Sequence, residues 1–269
     1  MERIKEAISK ARNSQGLKEQ IKSRAQVDIH RDELNNDEIT YQETKVVQLD
    51  TKHLENNRIV TFDSEDPDSV AFDILRTQIL TKMKENNWRT LAITSPTPEC
   101  GKTVVALNLA MSIAKQTEHT ALLVDFDLRK PRISQYLGLP AGKSLFDFLE
   151  NKAEIKDVLV NPGLPRLVVL PNTTPVRNAA ETLTSRRIKS MVTDLRDRYE
   201  SRVIIFDLPP LMAADDAMAF LPQVDCVLLI VASDESTPAE IKESRRQLQS
   251  SNLIGVVLNK SHEKQSHYY

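Results

Sequence analysis

The stretch Ser95-Pro96-Thr97-Pro98-Glu99-Cys100-Gly101-Lys102-Thr103 separates the apolar segment 91–94 from a second apolar segment, 104–110. This order predicts a buried strand, a tight loop and a helix. A helix that begins in such a loop directs its unpaired N–H groups, and the positive end of its dipole, towards the loop. Because such a helix terminus binds phosphate, the stretch predicts a nucleotide-binding loop.

Three residues at the end of this loop have the chemistry that a nucleotide site requires. Gly101 allows close approach to the backbone, Lys102 can reach the outer phosphates, and the Thr103 hydroxyl can bind Mg²⁺. Pro96 stands where the usual pattern has its first glycine. Taken alone, the pattern leaves open that a lysine and a threonine simply begin an ordinary helix.

Two further apolar segments end in aspartate. Asp125 and Asp127 follow one segment, and Asp207 follows the other. On a regular strand, residues two apart point to the same side, and open α/β sheets bind ligands at the carboxyl ends of their strands. The pair Asp125 and Asp127 suits Mg²⁺ binding and proton acceptance from a hydroxyl, and Asp207 suits the water shell of the metal. The alternative is that these acids cap turns.

The overall composition fits one large domain with appendages. The chain has 269 residues, 40% of them hydrophobic, which is enough for a core. A net charge of −2 gives no indication of nucleic-acid binding, and two cysteines are too few for a disulfide framework. The longest apolar run, residues 226–232, is far below the roughly 20 residues of a membrane helix, and the first residues lack the apolar core of a signal peptide. We therefore expect a soluble, cytoplasmic protein.

Three parts are predicted along the chain. Residues 1–60 are polar and form a short amphipathic helix and a partly disordered linker; the helix is either a fraying terminus or a docking element for a partner. Residues 61–262 form the nucleotide-binding domain. Residues 263–269 are a polar tail that ends in Tyr268 and Tyr269.

The domain is predicted to have an α/β fold. Apolar strands near residues 91, 121, 203, 226 and 253 alternate with helical segments, which indicates a mostly parallel sheet with helices on both faces. Together with the loop at residues 95–103, this pattern indicates a Mg²⁺-nucleotide-binding domain for phosphoryl transfer or hydrolysis, and it resembles the P-loop NTPase-like domains related to the Min/Par proteins. Asn259, at the end of the last strand, either binds an adenine edge or caps a turn.

The combined motifs resemble those of the bacterial tyrosine kinases of capsule and exopolysaccharide biosynthesis, from about residue 66 to the C-terminus. That family has a loop, an Asp-x-Asp-x-Arg-Lys/Arg-Pro motif and an Asp-x-Pro-Pro motif, each after an apolar run, and a tyrosine-bearing tail. The matching residues here are Thr94, Ser95, Pro98, Gly101, Lys102 and Thr103, then Asp125, Asp127, Arg129, Lys130 and Pro131, then Asp207, Pro209 and Pro210, and finally Tyr268 and Tyr269.

The resemblance implies an ATP-dependent tyrosine autokinase that uses Mg²⁺. Lys102 would hold the phosphates, Asp125 would accept the proton of a tyrosine, and Asp127 would support the metal or the substrate. The metal would be bound by Thr103, Asp127 and Asp207. The nucleotide site would comprise Ser95, Pro98, Glu99, Cys100, Gly101, Lys102, Thr103, Val104 and Asn259.

The resemblance also implies partners. Tyr268 and Tyr269 would be phosphorylated by a neighbouring copy of the chain. A separate membrane-spanning chain-length (co-polymerase) protein would recruit the kinase to the inner face of the membrane. Family members that form rings have a Glu-x-x-Arg-x-x-Arg-x-Asn pattern before the loop; in residues 70–78 only Arg76 matches it, and Asp73 replaces an arginine. Two alternatives stay open: a Min/Par-like ATPase switch, which shares this architecture, and a non-catalytic nucleotide-binding adaptor, which the altered ring pattern and Glu99 suggest.

Overall fold

The parallel sheet predicted from the apolar runs is present in the computed structural model, which describes residues 44–63, 66–199 and 201–261. Within these residues the strands are β1 (Lys45–Val46), β2 (Thr90–Thr94), β3 (Thr120–Asp125), β4 (Val160–Asn161), β5 (Leu167–Leu170), β6 (Arg202–Asp207), β7 (Cys226–Ala232) and β8 (Leu253–Asn259). The α-helices are α1 (Thr51–Asn56), α2 (Ser69–Glu85), α3 (Lys102–Ala114), α4 (Ile133–Leu137), α5 (Leu145–Leu149), α6 (Ile155–Val158), α7 (Ala179–Thr184), α8 (Arg186–Asp197), α9 (Asp216–Phe220) and α10 (Pro238–Gln247). Short 3₁₀ helices span Leu221–Gln223 and Leu248–Ser250.

The strand order brings the three predicted motifs together. The sheet runs β1-β4-β5-β3-β6-β2-β7-β8, and within it β4 and β5 pair antiparallel while the other neighbouring strands pair parallel. Strand β6 lies between β3 and β2, so that Asp207 is in register with Asp125 on one side and with Ile93 on the other. The carboxyl ends of β2, β3 and β6 therefore meet at one edge of the sheet.

Helix α3, which follows the loop, is the central helix of the core. All of its residues except Val104 are buried, as expected for a helix that is apolar around most of its circumference. Its polar residue Asn108 is fully buried, accepts from the N–H groups of Val60 (2.9 Å) and Thr61 (3.0 Å), and donates to the backbone O of Arg58 (3.0 Å). The amide therefore fixes the segment that precedes α2.

Part of the predicted linker is ordered. Strand β1 pairs with β4, and Leu54 of α1 and Ile59 are buried in the main core (0% and 2% exposed). Leu54 is a single apolar residue in a polar segment, so only tertiary contacts reveal it, whereas Ile59 begins the short apolar stretch 59–62. The packed domain therefore includes residues 44–60. The predicted N-terminal amphipathic helix, within residues 1–43, and the tail tyrosines Tyr268 and Tyr269 lie outside the described residues.

Helix α2 carries the altered arginine pattern. The Arg76 guanidinium donates from Nη1 to Asp73 Oδ1 (2.6 Å) and to the Ser112 hydroxyl of α3 (3.0 Å). The Ser112 hydroxyl in turn donates to Asp73 Oδ1 (2.6 Å). The arginine that matches the family pattern is thus used to attach α2 to α3.

Among the described helices, none combines the length and the apolar character that a membrane span requires.

Candidate functional site

The loop between β2 and α3 has a backbone that only certain residues fit. Gly101 adopts a left-handed conformation (φ 86°, ψ 18°) as the N-cap of α3, and a Cβ atom there would overlap the side-chain amide of Asn259. Glycine is therefore required at this position. Glu99 is also left-handed (φ 68°), and its side chain is exposed to solvent. This conformation costs a non-glycine residue roughly 1–2 kcal/mol.

The loop is held by neighbouring strand ends. The N–H groups of Leu211 and Met212 donate to the backbone oxygens of Ser95 (2.8 Å) and Pro96 (3.1 Å). On the other side, Asn259 Nδ2 donates to the backbone O of Cys100 (2.9 Å). Asn259 therefore lies beside the loop with its amide nitrogen turned to the protein, which leaves its oxygen as the atom able to accept from a ligand.

Lys102 is the centre of a buried polar cluster. Its Nζ lies 2.9 Å from Asp127 Oδ2, 3.3 Å from Asp207 Oδ1 and 3.4 Å from the Thr103 hydroxyl. Thr103 donates to Asp207 Oδ2 (2.6 Å). Burial alone lowers the pKa of Lys102, but the carboxylates of Asp207 and Asp127 outweigh it and raise that pKa above its usual value. The structure thus brings together the lysine, the threonine and two of the three predicted acids.

Asp125 has a different environment from Asp127. Its Oδ2 accepts from the N–H groups of Arg132 (3.1 Å) and Ile133 (3.0 Å) at the start of α4, whereas its Oδ1 is buried and has no hydrogen-bond partner among the described residues. The side chain is 0% exposed. Burial, followed by repulsion from Asp207, raises the pKa of Asp125 well above its usual value. This carboxyl group is therefore suited to holding a proton.

An aromatic cluster fixes the backbone from which these acids project. Phe126 lies between Asp125 and Asp127 in the chain, and its ring packs 5.1 Å from that of Phe206 and 4.9 Å from that of Phe220. Phe206 directly precedes Asp207. The apolar residues next to the acids are thus packed in the core. This packing fixes the backbone positions from which the carboxyl groups project.

Comparison with known proteins identifies the family of this chain. No family model matches it. EpsB of Ralstonia solanacearum carries the name of a tyrosine-protein kinase. It is 32% identical to this chain over 197 residues, which cover 72% of this chain and 26% of EpsB. The similarly named kinase CapB of Staphylococcus aureus is 28% identical over 204 residues, 75% of this chain and 88% of CapB. The chain belongs to the bacterial tyrosine kinase family.

Solved structures agree with this assignment. The chimerical protein CapA2B2 has a TM-score of 0.71 at 28% identity, over 81% of this chain and 94% of that chain. The cell division ATPase MinD of Pyrococcus furiosus has a TM-score of 0.55 at 23% identity, over 66% of this chain and 74% of its own, a similarity of fold alone. The predicted P-loop NTPase-like fold related to the Min/Par proteins is therefore confirmed. The chain spans about a quarter of the length of the two EpsB relatives (26% each).

The oxygen atoms around Lys102 suit a magnesium ion. In the described ranges, no group of three histidine, cysteine or acidic side chains has the arrangement of a metal site. Mg²⁺ is usually bound by one or two carboxylates together with phosphate oxygens and water. Asp127 Oδ2, Asp207 Oδ1 and the Thr103 hydroxyl all lie within 3.4 Å of Lys102 Nζ and are hard oxygen ligands of this kind. The residues present therefore fit the metal that the kinase family implies.

One ion pair of this chain was not predicted from the sequence. Arg129 donates from Nε and Nη2 to Oδ2 (2.5 Å) and Oδ1 (3.0 Å) of Asp216, the first residue of α9. These hydrogen bonds raise the pKa of Arg129. The arginine belongs to a motif seen in the sequence, but its partner lies 87 residues away. The only local signal for that partner was the acidic pair Asp215 and Asp216.

Proposed function

We propose that this chain is an ATP-dependent protein-tyrosine autokinase that acts in the synthesis or export of exopolysaccharide or capsule. The observation that supports this most directly is the group of Lys102, Thr103, Asp127 and Asp207 at the mouth of a phosphate-binding loop, with Asp125 beside it. The family assignment supports the same activity, because the relatives are named tyrosine-protein kinases.

In this proposal the loop holds the triphosphate of ATP. The N–H groups at the start of α3 and the Lys102 ammonium bind the outer phosphates. Asn259 offers its Oδ1, since Nδ2 is already bonded to Cys100, and an acceptor there fits the amino group of adenine. The residues proposed to line the nucleotide are Ser95, Pro98, Glu99, Cys100, Gly101, Lys102, Thr103, Val104 and Asn259.

The acids have separate roles. Thr103, Asp127 and Asp207 would hold Mg²⁺, which neutralises charge on the phosphates when it is bound. Lys102 must then exchange its bonds to the two carboxylates for bonds to phosphate. Asp125 would accept the proton of the incoming tyrosine hydroxyl as the ionised carboxylate, which its raised pKa makes a stronger base. Catalysis would thus depend mainly on the placement of the reacting groups and on neutralisation of the charge on the phosphates.

The acceptors and partners of the kinase are also part of the proposal. Tyr268 and Tyr269 are the proposed acceptors, phosphorylated by a neighbouring copy of the chain, and a separate membrane-spanning chain-length protein recruits the kinase to the inner face of the membrane. The support for both is the resemblance in motifs. Because Arg76 is bonded within its own subunit to Asp73 and Ser112, we propose that self-association does not depend on this arginine.

Mass spectrometry of the full chain after incubation with Mg-ATP tests the proposal. Phosphate is expected on Tyr268 and Tyr269 in the wild type and is expected to be lost in Lys102→Met. Lys115→Met, which removes an exposed lysine at the other end of α3, is the matched control and should remain active. No tyrosine phosphate, with and without a co-expressed chain-length protein, would refute the kinase function.

A Min/Par-like ATPase switch is the second candidate, favoured by the similarity in fold to MinD. It predicts release of ADP from ATP without any phosphotyrosine. The same incubation separates the two functions when ADP and phosphotyrosine are both measured. A non-catalytic adaptor would produce neither while still binding nucleotide.

A further inference from the structure

The loop between β3 and α4 carries Asp127 and must hold its carboxylate beside Lys102. Three backbone contacts restrain it: the N–H of Phe126 donates to the backbone O of Asp207 (2.9 Å), that of Lys130 to Asp127 (3.1 Å), and that of Val176 to Leu128 (2.8 Å). None of them connects the loop to residues 208–216, which follow the other acid of the site. A side-chain contact makes that connection.

The connection is the ion pair between Arg129 and Asp216. Its two hydrogen bonds join the planar guanidinium to both oxygens of the carboxylate, a geometry that fixes orientation as well as distance. The Asp216 side chain is 1% exposed, whereas that of Arg129 is 45% exposed. The aspartate is thus the buried, fixed member of the pair, and the arginine extends to it from the loop.

Asp216 is itself attached to the aromatic cluster. It lies four residues before Phe220 on α9, so the two side chains share a helix face. The Phe220 ring is 4.9 Å from both Phe126 and Phe206, and all three rings are fully buried. The helix that carries Asp216 is therefore packed against the residues that adjoin the catalytic acids.

We propose that the pair Arg129–Asp216 positions Asp127 for phosphoryl transfer by fixing its loop to α9. The catalytic consequence rests on the proposed kinase function, whereas the effect on the loop does not. Neither residue touches nucleotide or acceptor in this role, so both are positioning residues. Without the pair, the loop retains its backbone contacts and the side-chain bonds of Asp125 and Asp127, none of which connects it to α9.

Asp216→Asn is the most informative variant. It keeps the shape of the side chain and removes the charge, and the freed Arg129 can be solvated because it is half exposed. Arg129→Met would instead leave a buried carboxylate without a counter-ion and risks unfolding. Arg129→Lys keeps the charge without the paired hydrogen bonds. Glu243→Gln is the matched control, since Glu243 forms a similar two-bond pair with Arg246 (2.7 and 2.6 Å) on the exposed face of α10.

Hydrogen exchange measures the positioning directly. In Asp216→Asn we expect exchange in residues 126–133 to become about tenfold faster, with residues 101–114 unchanged. Arg129→Lys should lie between this variant and the wild type, and Glu243→Gln should match the wild type. No change in residues 126–133, or an equal increase throughout the domain, would overturn the proposal.

Kinetics then test the catalytic consequence. We expect kcat for tyrosine phosphorylation to fall about tenfold in Asp216→Asn, because a small misplacement of a catalytic group lowers the rate steeply. At saturating Mg²⁺ the KM for ATP should change by less than about twofold, because the phosphate loop itself is untouched. An unchanged kcat with a raised KM would contradict the role. If the wild type transfers no phosphate, the proposed function fails, and the exchange measurement still decides whether the pair holds the loop.

Discussion

Replacing Asp125 by asparagine is expected to stabilise the protein at neutral pH while it removes the proposed proton acceptor. The carboxyl group is fully buried, its Oδ1 has no partner among the described residues, and Asp207 is its register partner on β6. Asparagine keeps one oxygen for the N–H groups of Arg132 and Ile133 and places an uncharged amide nitrogen where Oδ1 lies. The substitution therefore removes a buried charge and its repulsion with Asp207.

The magnitude follows from the same contacts. A buried polar group without a partner costs about 1–3 kcal/mol and a charged one costs more, so replacing the unpartnered carboxylate oxygen by an uncharged amide nitrogen recovers the difference between the two. We therefore expect a gain of about 2 kcal/mol, which for a domain of this size raises Tm by roughly 4–8 °C. Thermal unfolding at pH 7.5 with EDTA and without nucleotide measures it.

The pH dependence gives a sharper test. Burial raises the pKa of Asp125 in the folded protein above its ordinary value of 3.8, so the wild type loses stability as the pH rises from that value through the folded pKa. The gain in Asp125→Asn should accordingly be largest at neutral pH and disappear near pH 3.8. Equal or lower stability of the variant at pH 7.5, or a gain that persists at low pH, would refute the reasoning.

Asp157→Asn is a control for which the opposite change in stability at neutral pH is expected. The N–H of Glu154 lowers the pKa of Asp157, so the stability that this carboxylate contributes is present above its ordinary pKa and is lost as the pH falls. This variant should lose stability at neutral pH and equal the wild type at low pH.

Further predictions concern the loop and the core. Glu99→Gly should bind a fluorescent ATP analogue about fivefold more tightly, because it relieves a left-handed backbone and removes a charge near the phosphates. An unchanged affinity would mean that neither effect influences ATP binding. Asn259→Ala should weaken ATP binding about tenfold in the same titration, because the Cys100 carbonyl loses its donor. Leu54→Ala should lower the free energy of unfolding by about 2–4 kcal/mol in urea, and a loss below about 1 kcal/mol would show that α1 is only loosely attached. Burial raises the pKa of Cys226 to about 12, so its thiol should not react with a disulfide reagent at pH 8 until the protein is unfolded.

The sequence was sufficient for the sheet and for the acids at its edge. Strands such as β6 and β7 are continuous apolar runs, the pattern of strands buried on both faces, and their order along the chain implies parallel pairing. Because parallel strands end at the same edge, Asp125 and Asp207 could be placed near Lys102 from their position in the chain alone.

Contacts between distant residues could not be predicted in this way. Asn259 and Cys100 are 159 positions apart, and neither has a neighbour pattern that indicates the other. The same is true of Leu54, a single apolar residue in a polar segment. The different environments of Asp125 and Asp127 also depend on tertiary structure, because β3 ends at Asp125 and the chain then turns towards α4.

The bonds of Lys102 have a thermodynamic consequence for ligand entry. A triphosphate that takes this ammonium group deprives two buried carboxylates, Asp127 and Asp207, of their counter-ion. A divalent cation restores the balance, so in the proposed kinase nucleotide and metal should bind with positive cooperativity, each increasing the affinity for the other by the same factor. The loop would then discriminate in favour of the magnesium complex of ATP and against the free anion.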